Sequence, residues 1–414
     1  MLNKLKQLGP GLLYAGAAIG VSHLVQSTRA GANFGFTLIW VIVIAHFFKY
    51  PFFQFGPRYT AATGKSLLSG YQKMGNWALV LFGLLTISTM FVVEAAIIAV
   101  TAGMAENLFQ LGFDTLTWGA IILAICLGIL VWGKYSLLDN LVKVIIVVLS
   151  ITTVAAFVAF FYNLQLNTQL FGDFNWRDNT DVFFLIALMG WMPAPLDISV
   201  WHSVWSVANN REKKEKTSLK NALFDFNVGY FGTAILACCF LGLGALALFN
   251  SNLTLSSNAA GFAKQINEVY TNSLGNWAFY VIAIAAFTTM FSTAITCLDA
   301  FPRVLRPISK MLVSRLNEKT LNRKIYNVWI GITAGGTIAI LIFFLSSMKQ
   351  LVDFATTLSF LTTPVIAWLN YRVIFKGDIS LEFIPSKKMK LLSQAGLLFL
   401  LGFTVFFLVA RFFI

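Results

Sequence analysis

Charge is what this sequence has least of. Only 11% of its 414 residues are Asp, Glu, Lys or Arg, and 17 acidic residues face 30 basic ones. There are 3 histidines, 4 cysteines and 9 prolines. Each scarcity excludes something. His23, His46 and His202 are scattered and supply neither a catalytic cluster nor a metal motif, so no enzyme is expected. Cys126, Cys238, Cys239 and Cys297 lie inside apolar runs. Their spacing fits neither a zinc site nor a disulfide framework, which leaves packing as their role. A formal charge of +13 invites a nucleic-acid reading, but the basic residues alternate with apolar stretches. That is the pattern of a membrane protein obeying the positive-inside rule, and no nucleic-acid partner is expected.

What is abundant is apolar: 58% of residues are hydrophobic and the mean hydropathy is +0.76. This composition predicts an all-α polytopic membrane protein with lipid as its immediate partner. Eleven transmembrane helices are expected, at roughly 11–36, 38–57, 77–104, 117–133, 139–162, 181–207, 222–249, 276–300, 325–346, 350–372 and 391–413. The basic connecting segments fall on one side: Lys4 and Lys6, then Arg58, Lys65 and Lys73, Lys134 and Lys143, and the stretches 211–220, 303–324 and 372–390. The other side carries Glu106, Asp114, Asp173, Asp178, Asp181 and Glu268. This bias predicts an N-terminus in the cytoplasm and a C-terminus outside, and the expected location is a bacterial inner membrane. Ala15-Gly16-Ala17 mimics a signal-cleavage site, but Gly9-Pro10-Gly11 leaves almost no apolar core before it, so no cleaved signal is expected.

Two spans are interrupted. In the sixth, Gly190-Trp191-Met192-Pro193-Ala194-Pro195-Leu196-Asp197 separates two short helical runs. Two prolines so close remove backbone donors and cannot continue a helix. Broken backbone at membrane depth is tolerated only where it lines a cavity or holds a ligand. In the first span, Ala15 to Ala18 and then Gly20-Val21-Ser22-His23 run small and polar. Small residues also let helices pack closely, but a histidine at mid-span points to a cavity. Breaks in spans one and six imply a 5+5 inverted repeat, 9–162 and 181–372, with 391–414 as an additional helix in a single 1–414 transporter domain. The expected substrate site is Gly20, Ser22, His23, Met192, Pro193, Ala194 and Asp197, where half-helix ends offer free carbonyls and positive N-termini.

A family resemblance adds to this. Gly9-Pro10-Gly11-Leu12-Leu13, Gln26-Ser27-Thr28-Arg29-Ala30-Gly31-Ala32, Phe34-Gly35 and Ala62-Thr63-Gly64-Lys65 resemble the first two spans of the Nramp family. Met192-Pro193 with His202-Ser203 resembles its sixth-span region more loosely. The resemblance implies a LeuT-like fold, alternating access and transport of divalent transition metals, usually with protons. The chain departs from the family at its metal motif. Asp-Pro-Gly-Asn is replaced by Gly20-Val21-Ser22-His23, Met-Pro-His by Met192-Pro193-Ala194, and the paired acids of the third span by Phe91 and Glu94. The metal ligands that remain are His23, Met192 and Asp197, and manganese should bind more weakly than in a site with the missing aspartate. A small organic solute coupled to sodium is the alternative, and no permanently bound cofactor is expected. A channel would need a continuous polar stripe, which is not seen.

Individual residues carry further expectations. Glu94 lies deep in an apolar span and suits proton relay or ion coupling. Asp197 suits either an acidic ligand or the N-cap of the outgoing half-helix. In the eighth span Ser292 and Thr293 stand where LeuT-like transporters bind sodium, although membrane hydroxyls commonly bond back to their own helix. Thr356, Thr357, Ser359, Thr362 and Thr363 of the tenth span are candidates for the same cavity. His202 with Trp201 and Trp205 reads as interfacial or packing, His46 as structural. Asp299 is expected to pair with a basic residue.

Overall fold

The computed structural model describes residues 9–132, 135–162, 169–249, 255–275, 278–313, 321–343 and 347–413. Of the basic pattern, Lys4, Lys6, Lys134, the side chain of Lys143 and residues 314–320 lie outside them. In chain order the helices are α1 (Pro10–Ala18), a π-helical segment Val21–Ser27, α2 (Thr28–Phe34), α3 (Ile39–Thr63), α4 (Leu67–Met74), α5 (Asn76–Phe109), α6 (Thr115–Trp132) and α7 (Tyr135–Tyr162). The second half follows with α8 (Asn179–Trp191), α9 (Ile198–Lys213), α10 (Leu219–Ala247), α11 (Ala259–Leu274), α12 (Ala278–Leu312), α13 (Leu321–Phe343), α14 (Met348–Phe375) and α15 (Lys387–Phe413). The only β contact among the described residues is an isolated bridge between Gly35 and Phe171. Seven helices there are long and apolar enough to cross a membrane: α3, α5, α10, most of α12, α13, α14 and α15.

Burial explains the layout. α5 runs for 34 residues through the middle and packs on α6, α11, α12, α13 and α14. The first broken span lies against α10, and the contact is made by glycines. A Cβ on Gly11 would fall 2.1 Å from the Asp225 carbonyl, and one on Gly244 2.2 Å from that of Thr28. Only glycine lets these backbones touch, which is the usual currency of helix association in lipid. α15 packs on α3 and α14, and just 22% of its apolar window is covered, so it is a peripheral addition to the bundle.

Asp225 on α10 does a second job. Its carboxylate accepts from Gly9 N at 2.9 Å and Gly11 N at 2.7 Å, closing the open N-terminus of α1. Pro10 needs no such partner, having no N–H. The Gly-Pro-Gly opening is thus a helix start held by an acid from another span.

The two helix breaks and the cavity between them

The first break is built from small residues. α1 ends at Ala18, Gly20 donates to the Ala18 carbonyl at 3.0 Å, and the chain resumes as a π-helical turn. Wide π-turns inside helices are frequent at functional sites. The carbonyls left by this change point at α12. Thr293 Oγ1 lies 3.0 Å from the Gly16 carbonyl oxygen and 3.1 Å from that of Ile19. Gly20 makes the approach possible, since a Cβ there would meet Thr293 Cγ2 at 2.7 Å and Oγ1 at 2.8 Å. Ser292, by contrast, bonds back to Thr289 at 2.9 Å. The expected hydroxyl pair divides into one residue that crosses to span one and one that does not.

The second break follows α8, which ends at Trp191. Met192 is extended, the Met192–Pro193 peptide is cis, and α9 starts at Ile198. The carbonyls at the end of α8 are met by a lysine. Lys49, fully buried on α3, donates to Met189 O at 2.7 Å and Gly190 O at 2.9 Å. A cation suits the negative end of a half-helix. At the other end Asp197 stands at the N-cap position of α9 but makes no side-chain cap bond, and its buried Oδ1 has no partner. The expectation that its carboxylate caps α9 is therefore not met. Neighbouring Ser199 instead accepts from Asn370 Nδ2 at 2.8 Å, and Asn370 Oδ1 accepts from Tyr71 at 2.6 Å.

Between the breaks lies a cavity of about 20 Å³, the room of a single water or ion. Its polar lining is Ser22, Thr293 and Cys297; Trp191, Pro195 and Trp201 close it from the second break. Of the residues expected at the site, Ser22 and Thr293 thus reach the wall. Gly20 abuts Thr293 without lining the cavity.

The other expected ligands are turned elsewhere. His23 Nδ1 pairs with Ser22 Oγ at 2.7 Å and Nε2 with the Thr233 carbonyl at 3.1 Å, so both ring nitrogens are engaged. It orients Ser22 and ties the π-turn to α10. Met192 packs in an apolar cluster with Phe34, Met189 and Phe360. Pro193, Ala194 and Asp197 are not on the cavity wall, and among the described residues no three His, Cys, Asp or Glu side chains come together. The tenth-span Thr356, Thr362 and Thr363 bond back within α14 and lie off the wall.

Glu94 is wholly buried and neither carboxylate oxygen has a hydrogen-bond partner. It flanks the cavity, whose wall includes Val93 and Ile97 of the same helix, and acts electrostatically on the thiols of Cys126 and Cys297. Arg29 is not its partner. Arg29 bonds Asp353 at 2.8 Å and Gln26 at 3.0 Å, pinning α2 to α14. His202 is 1% exposed with neither ring nitrogen bonded, inside the protein rather than at an interface. His46 Nδ1 donates to the Ile42 carbonyl of its own helix at 2.8 Å. Asp299 pairs with Arg303 at 2.6 Å, one turn on.

Lys49 and Asp225 carry contacts that the sequence reading does not assign, and Cys297, read there as packing, is on the wall. For Lys49 the signal was present, because a lysine at mid-span is a functional flag by default. Asp225 sits where a span boundary was drawn, and Cys297 looks like any other apolar-run cysteine.

Comparison with known proteins places this geometry. Residues 11–410 match the model of the family described as natural resistance-associated macrophage protein-like. A protein of Pasteurella multocida is 36% identical over 98% of this chain and 92% of its own length. The divalent metal cation transporter MntH of Staphylococcus aureus is 24% identical over 59% of this chain and 56% of its own. Among solved structures, the manganese transporter of Eremococcus coleocola shares the fold with a TM-score of 0.69 at 13% identity, over 98% of this chain and 86% of that one.

Proposed function

The chain belongs to the natural resistance-associated macrophage protein-like family, an integral-membrane transporter family rather than an enzyme family, and from that premise we propose that it is a secondary transporter of divalent metal cations working by alternating access. The observation that carries the reading is the size and position of the central cavity. At about 20 Å³ between two facing helix breaks it suits one ion. The sodium-coupled solute reading draws no support from a cavity of this size.

Two acids and one thiol supply the chemistry. Ser22, Thr293 and Cys297 offer first contacts, and Cys297 favours a transition metal over magnesium or calcium. Glu94 beside the cavity and Asp197 behind it are buried carboxyls that supply negative charge once deprotonated, with Glu94 as the coupling group. Thr293 against the Gly16 and Ile19 carbonyls is the element best suited to a coupling sodium ion. Ser292 completes that ligand set only with a change of rotamer, since it now bonds Thr289.

Eleven spans accommodate the helices: the seven long ones, the apolar segments Thr115–Val131 and Ile146–Tyr162, and the two broken spans. The inverted repeat gains support from α4 and α11, short helices that each follow the second span of their half. The orientation is N-terminus in the cytoplasm, C-terminus outside, in a bacterial inner membrane. The test is uptake of manganese into proteoliposomes under an imposed proton or sodium gradient. Gradient-driven accumulation supports the reading; no uptake of manganese, iron or cadmium under either gradient sinks it.

A further inference from the structure

One concavity is far larger than the central cavity and opposite in character. It measures about 770 Å³ and lies on the basic side of the bundle. Five cationic side chains line it: Lys65 from the turn after α3, Arg211 from α9, and Arg303, Arg306 and Lys310 from one face of α12. Ser66 and Ser69 add hydroxyls. The positive-inside rule explains basic residues at this depth. It does not explain why three separate segments aim them into one recess. There, like charges oppose one another: Arg303 and Arg211 both act on Arg306, with Asp299 as the acid that acts against them.

Counter-charge is scarce. Asp299 is occupied by Arg303 through two bonds of 2.6 and 2.7 Å and also accepts from Tyr326 at 2.7 Å. Lys310 bonds Asn322, a neutral amide, at 2.8 Å. Arg211, Arg306 and Lys65 have no ion pair among the described residues. A recess lined by one sign of charge concentrates counter-ions. Guanidinium groups beside hydroxyls match phosphate, which takes bidentate charge-assisted bonds. The volume falls in the range of small-molecule sites, about 300–1,000 Å³.

We propose that this vestibule binds a phosphate-bearing anion. Its position gives the anion a consequence. Trp201 closes the central cavity, while Val204, Ala208 and Arg211, on the same face of α9, line the vestibule. An anion seated there lies on the α9 face that also reaches the cavity, and it would offset a positive field that opposes the approach of a cation from that side.

The phosphate can belong to a soluble compound or to a lipid headgroup, and one experiment separates them. The full-length chain in phosphatidylcholine nanodiscs is titrated with pyrophosphate by calorimetry. Wild type should bind, more weakly as salt rises, and Arg306→Gln should lose roughly tenfold in affinity, the worth of one charge-assisted bond. Lys65→Gln, in an exposed turn, and Arg211→Gln serve where Arg306→Gln does not fold. In parallel, native mass spectrometry counts phosphatidylglycerol retained from mixed nanodiscs. Retention by wild type above the variants, reversed by pyrophosphate, identifies a headgroup; calorimetric binding without differential retention identifies a soluble phosphate compound. Wild type and all three variants behaving alike in both assays overturns the proposal.

Discussion

Lys49 Nζ lies 2.7 Å from the carbonyl oxygen of Met189, at the end of the half-helix where the sixth span breaks. The break frees carbonyls that could otherwise face the cavity, and the protein has placed a side-chain donor of its own on them. The substrate must therefore be held by other groups. Replacing Lys49 with Met removes the donor and leaves two buried carbonyls unmet, at a cost of about 1–3 kcal/mol each. Thermal unfolding in detergent should show a clear loss for Lys49→Met and a smaller one for Lys49→Gln, whose amide can still donate. Equal stability of Lys49→Met and wild type would contradict the role.

Gly20 and Thr293 form a second test. A Cβ on Gly20 would meet Thr293 at 2.7 Å, so Gly20→Ala should abolish transport. Shortening Thr293 in the same chain should relieve the clash. Gly20→Ala with Thr293→Ala is expected to fold better than Gly20→Ala alone, a coupling of 0.5–3 kcal/mol in a double-mutant cycle by the usual range for residues in contact, roughly. Thr293→Ala alone should remove any sodium stimulation of uptake. Additive effects of the two substitutions would mean that the residues do not touch.

How far these features can be read from residues alone differs from one to the next. Pro193 and Pro195 announce the sixth-span break because proline chemistry is local. The first break is legible for the same kind of reason, as a run of small residues around Gly20. What sequence spacing does not show is which way a side chain turns. His23 is the right residue for a ligand by type and depth, yet its two nitrogens are taken by Ser22 and Thr233, a contact spanning 210 positions. Cys297 reads as a packing residue for the converse reason: nothing local separates a wall residue from a packing one. Asp225 and Lys49 act on spans distant in sequence, and their partners are backbone atoms, which carry no residue identity to search for.

Glu94 bears on coupling. Both its oxygens are unbonded and it has no basic partner among the described residues, and for that reason coupling is proposed to rest on it. Glu94→Gln keeps size and polarity and removes only the titration. Uptake by this variant should lose its dependence on pH while the protein elutes and melts as wild type does. A pH profile identical to that of wild type would assign coupling to another group.

Arg29 and Asp353 join the first and tenth spans on the face away from the basic vestibule. The pair is partly buried, with side-chain exposures of 6% and 34%. If the proposed alternating access holds, breaking this pair would free α2 from α14. Asp353→Asn should weaken the pair and raise labelling of a cysteine placed at Ser27 by an impermeant thiol reagent added from outside. Unaltered labelling would reduce the pair to a structural contact.

Manganese itself gives the sharpest prediction. The wall of the central cavity supplies two hydroxyls and a thiol, with no carboxylate among its lining residues. A divalent charge at this depth is expensive unless compensated, and under the proposed reading Glu94 and Asp197 would compensate only from behind the first contacts and only when deprotonated. Binding should therefore be measurable by calorimetry but weak, with a Kd on the order of micromolar or above. The donor set also predicts a ranking. Cadmium, which prefers sulfur, should bind more tightly than manganese, and Cys297→Ser should lower cadmium affinity more than manganese affinity. Asp197→Asn should weaken both metals alike, because it removes charge and no contact. His23→Ala should act through the loss of Ser22 orientation, and so have a smaller effect than Ser22→Ala. If cadmium and manganese bind equally and Cys297→Ser changes neither, the metal does not occupy the cavity between the two breaks.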